Sequence, residues 1–120
     1  MTIENLDMKC AEAGRLVAQQ VEEKLINSCL GILQHDGVYA FSLYVKAQKK
    51  DAAFENCCET LLQDAALPKD YAKQTSPLYT NLDDIFLAKD ILERMLVYAR
   101  YHVKAKPENA ASPLVKPEDV

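Results

Sequence analysis

The fold of this chain is constrained most strongly by one long segment, residues 78–106, in which apolar residues recur every three or four positions. That spacing is the period of an amphipathic α-helix. Acidic residues fall near the start of the segment and basic residues near its end, as the helix dipole favours. Ser76 and Pro77 precede it and suit a helix cap followed by a first helical turn. The predicted buried stripe comprises Leu78, Leu82, Ile85, Leu92, Met95 or Leu96, Ala99 and Val103.

Two further segments carry the same period. The first covers residues 3–26, with Thr2 as its expected N-cap, and the second begins at Asp51, its expected cap, and ends before Pro68. Residues 69–75 are expected to add one more helical turn. The predicted stripe of the first helix is Leu6, Cys10, Ala13, Val17, Val21 and Leu25. That of the second is Phe54, Cys57 or Cys58, Leu61 and Ala65.

Between these helices the pattern is less regular. Asn27 and Ser28 interrupt the first period, so a short helix is predicted to follow over residues 29–36. Asp36 and Gly37 then separate two apolar runs, which is a strong signal for a β-hairpin. A helix from Val38 is favoured instead, because no other segment has a strand pattern and an isolated hairpin is only marginally stable. Asp36 is expected to cap this helix and Gly37 to allow the tight corner, with a buried face of Val38, Phe41 and Val45.

The predicted fold class is all-α, a single compact bundle of five or six helices. With 120 residues, of which 49% are hydrophobic, the chain has enough apolar surface for one modest core. The bundle is expected to occupy residues 1–106. Residues 107–120 contain three prolines and little to bury, so they are predicted to form a disordered tail.

Charge and cysteine content narrow the function. A net charge of -4 argues against an autonomous nucleic-acid binder, although a local basic surface with weak, salt-sensitive affinity remains open. The four cysteines, Cys10, Cys29, Cys57 and Cys58, form no Cys-x-x-Cys pair, and we expect them to be core residues in a reducing cytoplasm. No signal peptide or membrane-spanning run is recognisable, so a soluble, cytoplasmic protein is expected.

Catalytic and metal signals are weak. His35 and His102 have no partner in sequence, and the acidic pair Asp83 and Asp84 lacks the Glu-x-x-His arrangement of a diiron helix. The three glycines lie far apart and form no phosphate-binding loop. We therefore expect no enzymatic activity, no cofactor and no metal site.

Basic residues provide the better functional lead. Lys46, Lys49 and Lys50 crowd the end of the helix that begins at Val38, while Arg94, Arg100 and Lys104 lie on the long last helix. Tyr98 and Tyr101 are interleaved with the latter group. Helical spacing puts positions 94, 98 and 101 on one face and positions 100 and 104 on a neighbouring face. Such residues bind phosphates and stack on bases, although cations near a helix end also occur on purely solvated faces.

Three stretches together resemble a known family. They are LDMKCAEAGRLVAQQVE near the start, LGILQHDGVYAFSLYVKAQKK in the middle and LDDIFLAKDILERMLVYARYHVKA at the end. Their order and corner chemistry are similar to those of the small helical subunit of type III-B CRISPR effector complexes, the Cmr small subunit. Cys10 stands where that family has a basic residue in its first helix, and Lys9 or Arg15 is expected to take over its phosphate contact.

The resemblance implies a specific role. Copies of the small subunit stack head-to-tail inside the ribonucleoprotein, contact the other effector subunits and line the groove in which target RNA pairs with guide RNA. The subunit performs no chemistry and contacts phosphates and sugars without reading sequence, because base pairing does that. Its expected RNA-binding residues here are Lys9, Arg15, Lys46, Lys49, Lys50, Arg94, Arg100 and Lys104.

Two other functions remain open. One is a helical adaptor that binds another protein through exposed Tyr39, Tyr44 and Tyr98, since aromatic residues are enriched at interfaces. The other is a small helical enzyme or metal protein that uses the two histidines and the Asp83–Asp84 pair. The distribution of cations separates RNA binding from the adaptor, because RNA binding requires them to be gathered.

Overall fold

A computed structural model describes residues 3–105 of the chain, with side chains described from residue 5 onward. Within this part the protein consists of five α-helices and one short 3₁₀ helix, and no strand is present. This confirms the all-α class and the predicted number of helices. The expected cap Thr2 and the expected tail, residues 107–120, lie outside the described residues. The helices are α1 Ile3–Ala18, α2 Glu23–Asp36, α3 Val38–Ala47, α4 Asp51–Asp64 and α5 Leu82–Lys104, and the 3₁₀ helix Pro77–Thr80 precedes α5.

Helix α5 contacts all four other helices, packing most extensively against α1 and next against α2. Its buried residues are Ala88, Ile91, Leu92, Met95, Leu96 and Ala99, so the middle of the predicted stripe is confirmed. The predicted start was wrong. Asn81 caps α5 by accepting a hydrogen bond from the Asp84 amide at 3.2 Å, and Leu82 is 64% exposed. Leu78 is fully buried, but it belongs to the 3₁₀ helix, where the Ser76 hydroxyl accepts a bond from its amide as predicted.

The predicted first helix over residues 3–26 is in fact two helices. Helix α1 ends at Ala18, where the amide of Gln20 bonds the Val17 carbonyl at 3.0 Å and tightens the last turn. The bend allows α2 to fold back onto α5 while Val21 stays buried in the core. Asn27 and Ser28 lie inside α2 rather than between helices. Their polar side chains did not interrupt the helix, because they face away from the buried residues Ile26, Cys29, Leu30 and Leu33.

The α2–α3 corner is a helix corner and not a hairpin. Gly37 has φ 99° and ψ −176°, a conformation that is essentially restricted to glycine. Its amide donates to the carbonyls of Ile32 and Leu33, each at 3.2 Å, and its carbonyl accepts from the Phe41 amide at 3.1 Å. Gly37 is therefore the residue that ends one helix and begins the next. Asp36, the predicted cap, is instead the last residue of α2.

The buried face of α3 is as predicted. Val38, Phe41 and Val45 are all buried, and the Phe41 ring meets Phe54 edge-on at a centroid distance of 5.7 Å. The ring of Tyr71 stacks on Phe41. Tyr71 lies in residues 65–76, the connection between α4 and the 3₁₀ helix, and the helical turn predicted over residues 69–75 is absent there. Asp51 is the first residue of α4 rather than its cap, since Lys50 occupies the cap position without a side-chain bond.

The α1–α5 contact is close enough to require a glycine. A Cβ atom on Gly14 would lie 2.6 Å from the Met95 carbonyl oxygen and 2.8 Å from the Ala99 amide nitrogen. Beside this point the Cys10 thiol donates to the Ile91 carbonyl at 3.6 Å. All four cysteines are free and buried, as predicted, and burial raises the pKa of Cys10 to about 11 and that of Cys29 to about 12. These thiols stay protonated at neutral pH and contribute to packing.

Candidate nucleic-acid interface

The eight cations predicted to bind RNA fall into two classes in the structure. Four of them form ion pairs, and all four pairs are partly exposed, so solvent screens the attraction between their charges. The pairs are Lys9–Asp64, Arg15–Glu12, Arg94–Asp7 and Lys104–Glu23, with N···O distances of 3.5, 2.5, 3.1 and 2.5 Å. The other four, Lys46, Lys49, Lys50 and Arg100, make no ion pair within residues 3–105.

Arg94 belongs to a polar clamp between α1 and α5. The Asp7 carboxylate accepts a hydrogen bond from the Tyr98 hydroxyl at 2.8 Å and another from Arg94 Nη1 at 3.1 Å. The Tyr98 hydrogen bond and the Arg94 guanidinium lower the pKa of Asp7 below its ordinary value of 3.8. The same hydrogen bond raises the pKa of Tyr98. Arg94 and Tyr98 are therefore engaged in joining two helices, and they are less available to a phosphate than sequence spacing implied.

A groove between α2 and the last turns of α5, here called the α2–α5 groove, contains the other two α5 cations that were predicted to bind RNA, Arg100 and Lys104. Its volume is about 510 Å³. Arg100, Tyr101 and Lys104 form one wall, so Tyr101 groups with positions 100 and 104 and not with Arg94 and Tyr98 as the helical face predicted. The lining residues are Glu23, Asn27, Leu30, Gly31, Gln34, Arg100, Tyr101 and Lys104.

The α2 wall of this groove was missed by sequence reasoning. Glu23, Asn27, Gly31 and Gln34 are spaced by four, four and three positions, which places them on one helical face. This spacing is present in the sequence, but it indicates one helical face only once α2 is known to start at Glu23. Because this helix was predicted to start after Ser28, Glu23 and Asn27 were not part of its predicted face.

Tyr101 is the most exposed aromatic group of the groove. The residue is 59% exposed, and the Arg100 guanidinium carbon lies 5.9 Å from the centroid of the tyrosine ring. This is a cation–π distance, so Arg100 covers one side of the ring. Lys104 stands one turn from Arg100 and is held by Glu23, which gives the end of the groove a mixed local charge.

The last turn of α3 and the residues that follow it carry three further predicted cations, and we call Lys46, Lys49 and Lys50 the lysine turn. The Lys50 amide bonds the Val45 carbonyl at 3.0 Å and Lys49 has φ 59°, the geometry of a helix C-terminus that usually uses glycine. Lys49 therefore adopts a left-handed conformation, which costs about 1–2 kcal/mol for a residue other than glycine. All three side chains belong to exposed residues.

The surroundings of Lys46 are not uniformly basic. It lines a hollow of about 250 Å³ together with three carboxylates and two tyrosines. These residues are Asp51, Glu55, Glu59, Tyr39 and Tyr71. A phosphate bound at Lys46 would meet the repulsion of these acids, so the lysine turn is a weaker candidate for an RNA contact than the α2–α5 groove.

The residues of the two rival functions are also located. His35 lines a shallow hollow over α2, and His102 lies in the last turn of α5. Among residues 3–105 no group of three or more His, Cys, Asp or Glu is placed to hold a metal ion. Tyr39, a predicted adaptor anchor, packs edge-on against Tyr79 at a centroid distance of 5.8 Å. Tyr44 is half-buried. The exposed apolar residues lie elsewhere, at Met8, Leu43, Leu82, Phe86 and Leu87.

Comparison of the chain with models of known protein families, with curated proteins and with solved structures gave no match. None of the helices in the described part of the chain is long and apolar enough to span a membrane. The candidate interface therefore rests on the geometry of its own side chains.

Proposed function

We propose that this protein is a non-catalytic, RNA-binding helical subunit, and that it acts in the cytoplasm as the small subunit of a type III-B RNA-guided effector complex. In this role copies stack along the guide RNA and target RNA, beside the other effector subunits, and hold the RNA backbone without reading its sequence. The observation that carries the proposal is the α2–α5 groove, which combines Arg100, Tyr101 and Lys104 in one open site.

The chemistry of this groove suits a nucleic-acid backbone. Guanidinium and ammonium groups bind phosphates, and an exposed tyrosine ring packs on a sugar or a base. Asn27 adds an amide group that both donates and accepts hydrogen bonds, whereas the Gln34 amide already donates to Glu93 at 2.7 Å. The groove has a high proportion of hydrogen-bonding side chains for its size, as a site for a polar polymer requires.

The net charge of -4 and the Lys104–Glu23 pair predict weak binding by a single copy. Weak sites suffice when copies are tethered in an assembly, because each further contact is then made within the complex. The place in a type III-B effector rests on the three family-like stretches, and the lysine turn is the second contact that they imply.

The groove is tested by exchanging its two cations. The double substitution Arg100→Gln and Lys104→Gln should weaken binding of a fluorescent single-stranded RNA about tenfold, and the slope of log affinity against log salt should fall by about 1.4, or 0.7 per lost phosphate contact. Fluorescence anisotropy between about 50 and 200 mM salt measures both quantities.

The matched control is Lys9→Gln with Arg15→Gln. It removes the same charge from two cations of α1, each of which forms an ion pair with a carboxylate. An equal loss of affinity in both double variants would mean that only net charge matters, and the groove would lose its role.

Membership of a guided effector is tested separately. The tagged chain, isolated from its native cells, should carry guide RNA and the large effector subunits, and a capture without RNA would contradict it.

A protein adaptor is the second candidate, favoured by a different observation. Leu82, Phe86 and Leu87 at the start of α5 are 64%, 60% and 40% exposed. Exposed apolar residues that follow one another on a helix are typical of a protein interface. Under this function, Leu82→Ser with Phe86→Ser should abolish partner binding in native cells, while Arg100→Gln with Lys104→Gln should leave it intact.

A further inference from the structure

The two tyrosines near the end of α5, Tyr98 and Tyr101, differ in the contacts of their side chains. Tyr98 donates its hydroxyl to Asp7 and belongs to the clamp. Within residues 3–105 the Tyr101 hydroxyl has no hydrogen-bond partner, and the ring is largely in solvent. The Arg100 guanidinium carbon lies over one side of this ring at 5.9 Å, and Tyr101 is 59% exposed, so part of the ring remains accessible. A ring held in this way offers a flat surface on which an unpaired base can stack, with a guanidinium close enough to reach the attached phosphate.

The space in front of the ring continues across α2. A second hollow of about 390 Å³ adjoins the α2–α5 groove, and Asn27 and Gly31 line both. Gly31 has no heavy atom within 4 Å of where its Cβ would be, so the backbone of α2 is bare at this point. The far side of the second hollow is formed by Ser28, Ile32, His35, Asp36 and Tyr44.

The polar groups along this path suit base edges as well as backbone. Asn27 lies at the junction of the two hollows, Gln34 lies in the first, and Ser28 and His35 lie in the second. Amide, hydroxyl and imidazole groups donate and accept hydrogen bonds, whereas a duplex RNA presents its bases already paired and stacked. The Gln34 amide already donates to the Glu93 carboxylate at 2.7 Å. An acidic peptide would use the two cations, but it would leave the ring and Asn27 without a role.

We propose that the two hollows form one track over α2 for unpaired RNA nucleotides. One base stacks on the accessible part of the Tyr101 ring, its phosphate contacts Arg100 and Lys104, and the next nucleotide crosses Gly31 towards His35 and Tyr44. This inference rests on the proposed RNA-binding function and adds to it the class of RNA that is bound. A single strand, or an unpaired segment of the guide or target RNA, enters the track, whereas a paired segment contacts only the cations at its end.

The test compares a fluorescent single-stranded RNA with a blunt duplex of the same length and sequence, by anisotropy at matched salt. Tyr101→Leu removes the ring and should weaken single-strand binding five- to a hundredfold, the range for one lost base stack. The duplex should bind equally well to both forms. Tyr101→Phe keeps the ring and should stay within twofold of the natural protein.

Gly31→Leu tests the continuity of the track. A leucine side chain at this position enters open space, so the fold should be retained, and circular dichroism melting verifies this. We expect single-strand affinity to fall severalfold for an RNA long enough to cross α2, and a mononucleotide to bind as before.

The outcomes separate this inference from the function on which it rests. If single strand and duplex bind equally, and only Arg100→Gln with Lys104→Gln weakens both, the track is wrong and backbone binding stands. If no RNA binds but an acidic peptide does, both are wrong. A preference for the single strand that survives Tyr101→Leu would also overturn the stacking role.

Discussion

Two glycines lie on the two helices that pack most extensively against α5, and their surroundings are opposite. On α1, a Cβ at Gly14 would come within 2.6 Å of the α5 backbone. On α2, a Cβ at Gly31 would meet no heavy atom within 4 Å. The first glycine allows two helices to touch, and the second leaves a groove open. The same residue type therefore occurs at a close helix contact on α1 and at an open position on α2.

The polar side chains follow the same division. At the α1–α5 contact Asp7, Arg94 and Tyr98 satisfy one another, so their charges serve helix packing. In the α2–α5 groove, Arg100 makes no ion pair and the Tyr101 hydroxyl makes no hydrogen bond within residues 3–105. Groups that fold the protein are paired, whereas groups left available in an open groove are the better candidates for binding. The residues that join α1 to α5 and the residues proposed to bind RNA thus lie on different sides of α5.

The largest expected effect is that of Gly14→Ala. The added methyl group would overlap backbone atoms of Met95 and Ala99, which cannot rotate away as a side chain can, so α1 and α5 must separate. We expect the free energy of unfolding to fall by about 3 kcal/mol, the upper end of the usual cost of overpacking. Urea denaturation followed by circular dichroism measures it. A loss of less than about 1 kcal/mol would show that the contact is looser than the distances imply.

An intermediate effect is expected from Asp7→Asn, and it should depend on pH. The pKa of Asp7 is lowered in the folded protein by the Tyr98 hydrogen bond and by Arg94. A lowered pKa means that the carboxylate stabilises the fold above its ordinary pKa of 3.8, and that this contribution is lost as pH falls through the lower folded value. The melting temperatures of the two forms should therefore differ at neutral pH and converge below that value.

The matched comparison for this variant is Asp90→Asn, because Asp90 approaches the same guanidinium at the longer distance of 3.9 Å. It should change the melting temperature less than Asp7→Asn does at neutral pH. If Asp7→Asn were as stable as the natural protein across the whole range, the clamp would contribute nothing to joining α1 and α5.

The contrast between the two glycines also explains how far sequence reasoning reached. Apolar spacing located the core positions Cys10, Leu92 and Phe41, because burial and helical period are properties of local sequence. The Gly37 corner was predicted for the same reason. Helix ends were less accurate at Ala18 and Leu82, because bends and caps there depend on which neighbouring helix the chain folds against.

The candidate site was predicted only in part. Sequence identified Arg100, Tyr101 and Lys104, but it could not show that Arg100 is unpaired whereas Lys9, Arg94 and Lys104 pair with carboxylates on other helices. The α2 wall of the groove was missed, since its face becomes visible only with the correct start of α2. Gly31, like Gly14, looks identical from sequence whether it meets a backbone or open space.

The smallest expected effect is that of Gly31→Ala, and its sign is opposite to that of Gly14→Ala. Alanine favours the helix by about 0.8–1.0 kcal/mol over glycine, and the methyl group meets nothing, so α2 should become more stable by roughly that amount. Urea denaturation is again the measurement. A methyl group fills little of the groove, so RNA affinity should change less than with Gly31→Leu, in which a larger side chain enters the same space. Stabilisation and retained binding in Gly31→Ala, together with weaker binding in Gly31→Leu, would show that a small residue at position 31 keeps the groove open. Destabilisation by alanine would show that α2 is packed there as tightly as α1 is at Gly14.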